Sequence, residues 1–100
     1  MSYIHIIRDA TGKRVFNVVT ENADAKVTVI GLPGATVTTE EHDMDKFITI
    51  ESEQFPGRNA HLLLGGEDTG AAVLNHASTS KIEFPGTIEA LAIEFRSTEQ

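Results

Sequence analysis

The sequence predicts an all-β domain: an antiparallel β-sandwich or jelly-roll-like fold of about eight or nine short strands, with a closed barrel as the open alternative. Three observations predict it. Runs rich in β-branched residues recur about every ten positions, separated by turn residues. Within the runs apolar residues alternate with polar ones, as in Leu91, Ile93 and Phe95 against Glu94 and Arg96. No stretch carries helical periodicity for more than two turns; the best helix candidate is 39–46, with Thr39 as N-cap and acids in its first turn.

Nine strands follow from this pattern, at 3–8, 14–20, 26–30, 35–39, 46–51, 61–64, 71–75, 81–84 and 87–96. All fit one domain spanning 1–100, a length that buries enough surface to fold without crosslinks.

The connections have their own chemistry. Residues 9–13, Asp-Ala-Thr-Gly-Lys, suit a five-residue hairpin loop. Pro33-Gly34, Pro56-Gly57 and Pro85-Gly86 suit type II turns, in which proline sets φ and glycine takes the left-handed position. Such turns splay hairpin strands, so they are expected to carry the chain between sheets. The glycine-rich stretch 65–70, which contains Glu67 and Asp68, reads as a mobile polar connector.

Alternation assigns Ile4, Ile6, Phe16, Val18, Val27, Val29, Ile48, Ile50, Leu62, Leu64, Ile82, Phe84, Leu91, Ile93 and Phe95 to the core. Each such side chain contributes about 1.5–3 kcal/mol when fully buried. The opposite faces are also rich in apolar groups. Tyr3, His5 and Ile7 line the far side of the first strand, Val15 and Val19 that of the second, with Phe47, Leu63, Ala90 and Ala92 elsewhere. Antiparallel sheets with one wet face usually alternate cleanly. Tyr3, His5, Ile7 and Val19 are therefore expected to form an oligomer interface.

Composition narrows the function classes. A net charge of −7 opposes phosphate neutralisation, so neither nucleic acid nor an anionic membrane is an expected partner. The absence of cysteine removes disulfides, thiolate metal sites and a cysteine nucleophile. The first eight residues lack the basic start and long apolar stretch of a signal peptide, and no asparagine stands in an Asn-x-Ser/Thr acceptor. The expected location is the cytoplasm, or a particle assembled there.

Residues 40–53 hold six acids against one Lys46, a local charge of −5. Glu40, Glu41, Asp43 and Asp45 are the expected contact for a basic partner. Their spacing does not match a calcium-binding EF-hand loop. His5, His42, His61 and His76 show neither His-x-His nor His-x-x-x-His spacing. No serine lies in Gly-x-Ser-x-Gly, and no Lys-Ser/Thr pair follows the glycines of 65–70. No cofactor is expected.

These features favour a non-enzymatic structural or assembly subunit, such as an accessory decoration or cement-like protein of a virion or other particle, that associates with itself or with another protein. The alternatives are an acidic binding or inhibitory module that docks on a basic surface, and a small metal-dependent β enzyme using the histidines.

Overall fold

The computed structural model describes residues 2–42, 48–73, 78–82 and 88–97. They form nine strands: β1 Ser2–Arg8, β2 Arg14–Thr20, β3 Lys26–Ile30, β4 Thr36–His42, β5 Ile48–Ser52, β6 Arg58–Leu64, β7 Glu67–Val73, β8 Ser78–Ile82 and β9 Ala90–Ser97. There is no helix among the described residues, and so none long and apolar enough to cross a membrane. The helix candidate at 39–46 is overturned over its first half. Thr39 to His42 extend strand β4, because β1 pairs with them along their whole length, from Ser2–His42 to Arg8–Thr36.

The strands make two sheets, ordered β4-β1-β2-β5-β8 and β3-β9-β6-β7. Neither sheet closes into a barrel among the described residues. Among the described residues every pairing is antiparallel except one: β3 runs parallel to β9, Lys26 opposite Ala90 through Ile30 opposite Glu94. The fold is therefore not purely antiparallel. Lys26 N donates to Glu89 O at 3.0 Å and starts this parallel ladder.

Among the described residues only β1–β2 and β6–β7 are hairpins between adjacent strands. In the first, Asp9 Oδ1 accepts from Thr11 N at 2.9 Å, Thr11 Oγ1 at 2.6 Å and Lys13 N at 3.0 Å. One aspartate thus satisfies the loop's inward-pointing donors, as an Asx-type turn does. These bonds, led by that from Thr11, hold the Asp9 carboxyl below its ordinary pKa. The second hairpin closes on Gly65 and Gly66, with φ of +60° and +85°. Two consecutive positive φ angles define the type I′ geometry that matches strand twist, and glycine adopts them without strain. Residues 67–70 therefore belong to β7, not to the mobile connector expected.

The two described Pro-Gly turns behave as the sequence predicts. Pro33-Gly34 joins β3 to β4 and Pro56-Gly57 joins β5 to β6, each passing from one sheet to the other. Ala35 N donates to Leu32 O at 3.2 Å across the first. Pro85-Gly86 lies outside the described residues.

One buried cluster draws on both sheets: Ile7, Val15, Phe16 and Val18 from the five-stranded sheet, and Ala60, Leu62, Leu91, Ile93 and Phe95 from the four-stranded one. Phe95 is its hub. Its ring meets Phe16 and Phe55 edge-on, each at 6.4 Å between centroids. Gly31 sits beside Phe95 at φ +80°, and a Cβ there would fall 2.3 Å from the Phe95 carbonyl oxygen. Only glycine lets the chain leave β3 so close to β9.

The expected core holds for Phe16, Val18, Leu62, Leu91, Ile93 and Phe95, with Val27, Val29 and Leu64 half-buried against it. In β1 the faces are exchanged. The β1–β2 register sets Ile7 opposite Phe16 and His5 opposite Val18, so His5 and Ile7 share the face of the main cluster. Ile4 and Ile6 point the other way and join Val19 in a separate buried cluster. Hydrogen bonds permit the inward histidine: His5 Nε2 lies 2.7 Å from Thr20 Oγ1, and Nδ1 lies 3.0 Å from Thr39 Oγ1. Phe84 of the expected core lies outside the described residues.

Candidate functional site

Three of the four residues expected at an oligomer interface are covered within the chain. His5 and Ile7 are 0% exposed and Val19 is 2% exposed, while Tyr3 is half-buried. The apolar character of both faces of β1 and β2 is used internally, so it does not call for a second copy. Among the acids expected to meet a basic partner, Glu40 and Glu41 are both exposed at successive positions of β4, the edge of the five-stranded sheet, where alternation sets them on opposite faces. Asp43 and Asp45 lie outside the described residues. Charged residues on an edge strand also discourage edge-to-edge pairing, which is a structural reason for them to be there.

The surface that stands out is the outer face of the four-stranded sheet. Alternation turns Val27, Val29, Leu62, Leu91, Ile93 and Phe95 inward. It turns Lys26, Thr28 and Ile30 of β3, Asn59, His61 and Leu63 of β6, and Ala90, Ala92, Glu94 and Arg96 of β9 outward. Ile30, at 41%, is the one exposed large hydrophobic residue among the described residues. With Thr28, Leu63, Ala92 and the glycines of the β6–β7 turn it borders an open, mostly apolar depression of about 390 Å³. The depression exists because Thr28, Ala90, Ala92, Gly65 and Gly66 are small, leaving a low floor between larger neighbours.

One end of this face carries a charged network. His61 Nδ1 lies 2.7 Å from Asp68 Oδ2, across the β6–β7 hairpin. Arg96 Nη1 reaches the same Asp68 oxygen at 3.4 Å, and Arg96 Nε donates to Glu94 Oε1 at 2.6 Å. The β6–β9 register makes these contacts, setting His61 opposite Glu94 and Asn59 opposite Arg96. The Asn59 Oδ1 atom is buried there with no hydrogen-bond partner. Asp68 orients the His61 ring and Arg96 contacts two acids, an arrangement that makes a polar rim. No group of three metal-ligating side chains forms among the described residues.

Sequence reasoning weighed His61 and Asp68 separately and missed their pairing. The signal was the Gly65-Gly66 dipeptide: a two-residue hairpin turn brings positions on either side of it face to face.

No family model matches the chain, and no curated protein or solved structure matches it.

Proposed function

We propose that this protein is a non-enzymatic structural or assembly subunit, a β-sandwich that works by protein–protein contact through the outer face of its four-stranded sheet. One observation carries the reading. Ile30 and Leu63 rise beside a floor of small residues, and a charged rim at one end supplies directional contacts. An apolar centre with a polar rim is the usual anatomy of a protein interface. A net charge of −7 keeps such a subunit soluble before assembly. A place on a larger particle, such as a virion accessory protein, suits these properties.

The test is a photo-crosslinking amino acid at Ala92, in the centre of the face, in the full chain in its native cells. A control goes at Thr36, exposed on β4. Specific protein adducts from position 92 and not from 36 support the reading. Equal or absent crosslinking at both overturns it.

A second reading rests on Glu40 and Glu41, which are adjacent and exposed on an edge strand. There the chain is an acidic module that adds an edge strand and two carboxylates to a basic partner. Binding of that kind weakens steeply with salt and is lost on reversing both charges.

A further inference from the structure

The hydrogen bonds around His5 fix where its proton sits. Thr20 Oγ1 donates to Asn22 O at 3.1 Å and accepts from Asn22 N at 3.2 Å. A hydroxyl has one proton and two lone pairs, so its remaining capacity toward His5 is a lone pair. The His5 Nε2, 2.7 Å away, is therefore the protonated nitrogen. Nδ1 is left as an acceptor, and Thr39 Oγ1 donates to it at 3.0 Å. The opposite tautomer would draw the Thr20 proton to the ring and leave two oxygens 3.1 Å apart with none between them.

The two ends of this chain differ in strength. Thr20 is buried in β2, and Asn22 beyond it donates through Nδ2 to Ile88 O at 3.0 Å, tying the loop to the approach to β9. Thr39 is exposed and stands on β4, an edge strand. Five of the seven β4 residues are exposed, and only Val37 packs against the main cluster. A strand that buries so little opens at low cost.

Nδ1, the atom that takes the second proton, thus faces the weaker end. A proton added in place would turn Nδ1 into a donor, reverse the Thr39 hydroxyl and leave a cation on a ring that is 0% exposed. Little around it would offset that charge. On the same face β1 offers Tyr3 and Ile7, and β2 offers Phe16 and Val18. β4 offers Val37 and Glu41, and Glu41 is exposed, opposite Tyr3. β3 and β9 turn Val27, Val29, Leu91, Ile93 and Phe95 inward. Arg58 of β6 lies opposite Ser97, and Glu67 of β7 is exposed at the hairpin turn. In the loop after β2, Glu21 and Asp24 are exposed. Lifting β4 hydrates Nδ1 and leaves the Nε2–Thr20 bond in place.

We propose that His5 is an acid-released latch on β4: in mild acid this edge strand parts from β1 while the rest of the sandwich stays paired. The sign follows from the closed form, which holds the neutral ring. Burial keeps its pKa below the ordinary value, whereas the open form titrates near 6.5. Closure is therefore fully favoured above about pH 6.5 and weakens as pH falls through that value, by up to about tenfold per unit for one proton.

Nitrogen NMR of the histidine rings and native-state amide exchange of the purified full chain test this. At pH 7.5 the ring signal that is lost in His5→Gln should be that of the Nε2–H tautomer. The β4 amides bonded to β1 should be less protected than those of β2. After correction for the intrinsic exchange rate, their protection should fall by up to about tenfold between pH 7.5 and 5.5. In His5→Gln the side-chain amide still donates to Thr20 and accepts from Thr39 but takes no proton, so β4 protection should be the same at both pH values. An Nδ1–H ring at pH 7.5 overturns the proposal. So does β4 protection that is equal at both pH values in the wild type, or that falls equally in His5→Gln. Exchange of β4 only together with β2 also overturns it, because the strand then has no opening of its own. The tautomer and the two wild-type comparisons need no substitution, so the latch is tested even where His5→Gln does not fold.

Discussion

His61 and Asp68 lie seven positions apart and meet across the β6–β7 hairpin at 2.7 Å, with Arg96 bracing the same carboxylate from β9. These contacts join side chains of β6, β7 and β9. Asp68→Ala removes the ring's anchor and one of the two acids held by Arg96. The side chains of Asp68 and Arg96 are 38% and 44% exposed, so solvent screens most of the interaction. The expected loss is about 0.5 kcal/mol in urea unfolding, and the double variant Asp68→Ala/His61→Ala should lose less than the two single losses added together.

His5 predicts a pH dependence. Burial pushes its pKa below the ordinary histidine value. The folded state therefore holds the neutral ring while the unfolded chain takes up a proton at about 6.5. The His5 contribution to stability is constant above that pH and falls as pH drops below it, because the unfolded state binds more protons. His5→Gln should remove that slope between about pH 6.5 and 5, at the cost of lower stability at neutral pH. Urea midpoints measured across this range check both effects. An unchanged slope in the variant would place the titrating group elsewhere.

Gly31→Ala is expected to be far more damaging than its one added carbon suggests. The φ of +80° strains any side chain, and the Cβ would press on the Phe95 carbonyl at 2.3 Å. A loss of at least about 2 kcal/mol is expected in chemical unfolding. Gly57→Ala, with φ +83° and no atom within 4 Å of its Cβ, carries only the backbone strain and serves as the control.

Phe95→Ala removes the ring that bridges Phe16 and Phe55 and leaves a cavity between the sheets. The expected loss is about 3–5 kcal/mol. That is a large share of the 5–15 kcal/mol typical of a domain, so the thermal midpoint should fall by more than about 12 °C. Phe95→Leu should recover most of it.

Strand identity was legible where alternation was strong. The limits of β2 and β3 follow directly from runs such as Lys26-Val-Thr-Val-Ile. Facing was legible in β9, where Leu91, Ile93 and Phe95 contrast with Glu94 and Arg96, but not in β1. There Ile4, His5, Ile6 and Ile7 offer two apolar choices, and the decision rests on a register with Phe16 and Val18 set by strand pairing. The parallel β3–β9 pair was illegible for a related reason. Its partners are more than sixty residues apart, and no turn signal links them. His5 reads as a surface residue until Thr20 and Thr39, remote in sequence, supply its hydrogen bonds. The candidate site was only half legible: Ile30 and Leu63 announce themselves as apolar, whereas the low floor between them depends on which small residues the register makes neighbours.

The seam at β9 has a consequence for synthesis. Among the described residues it is the only link between β3 and the β6–β7 hairpin, so both wait for the strand Ala90–Ser97. As the chain emerges from the ribosome, β3 is translated early and spends the passage of some sixty residues with no partner on its own sheet. Such late-closing, long-range pairing makes for slow maturation. A nascent chain with β1 and β2 already joined and Lys26–Ile30 bare would be the species that holdase chaperones meet.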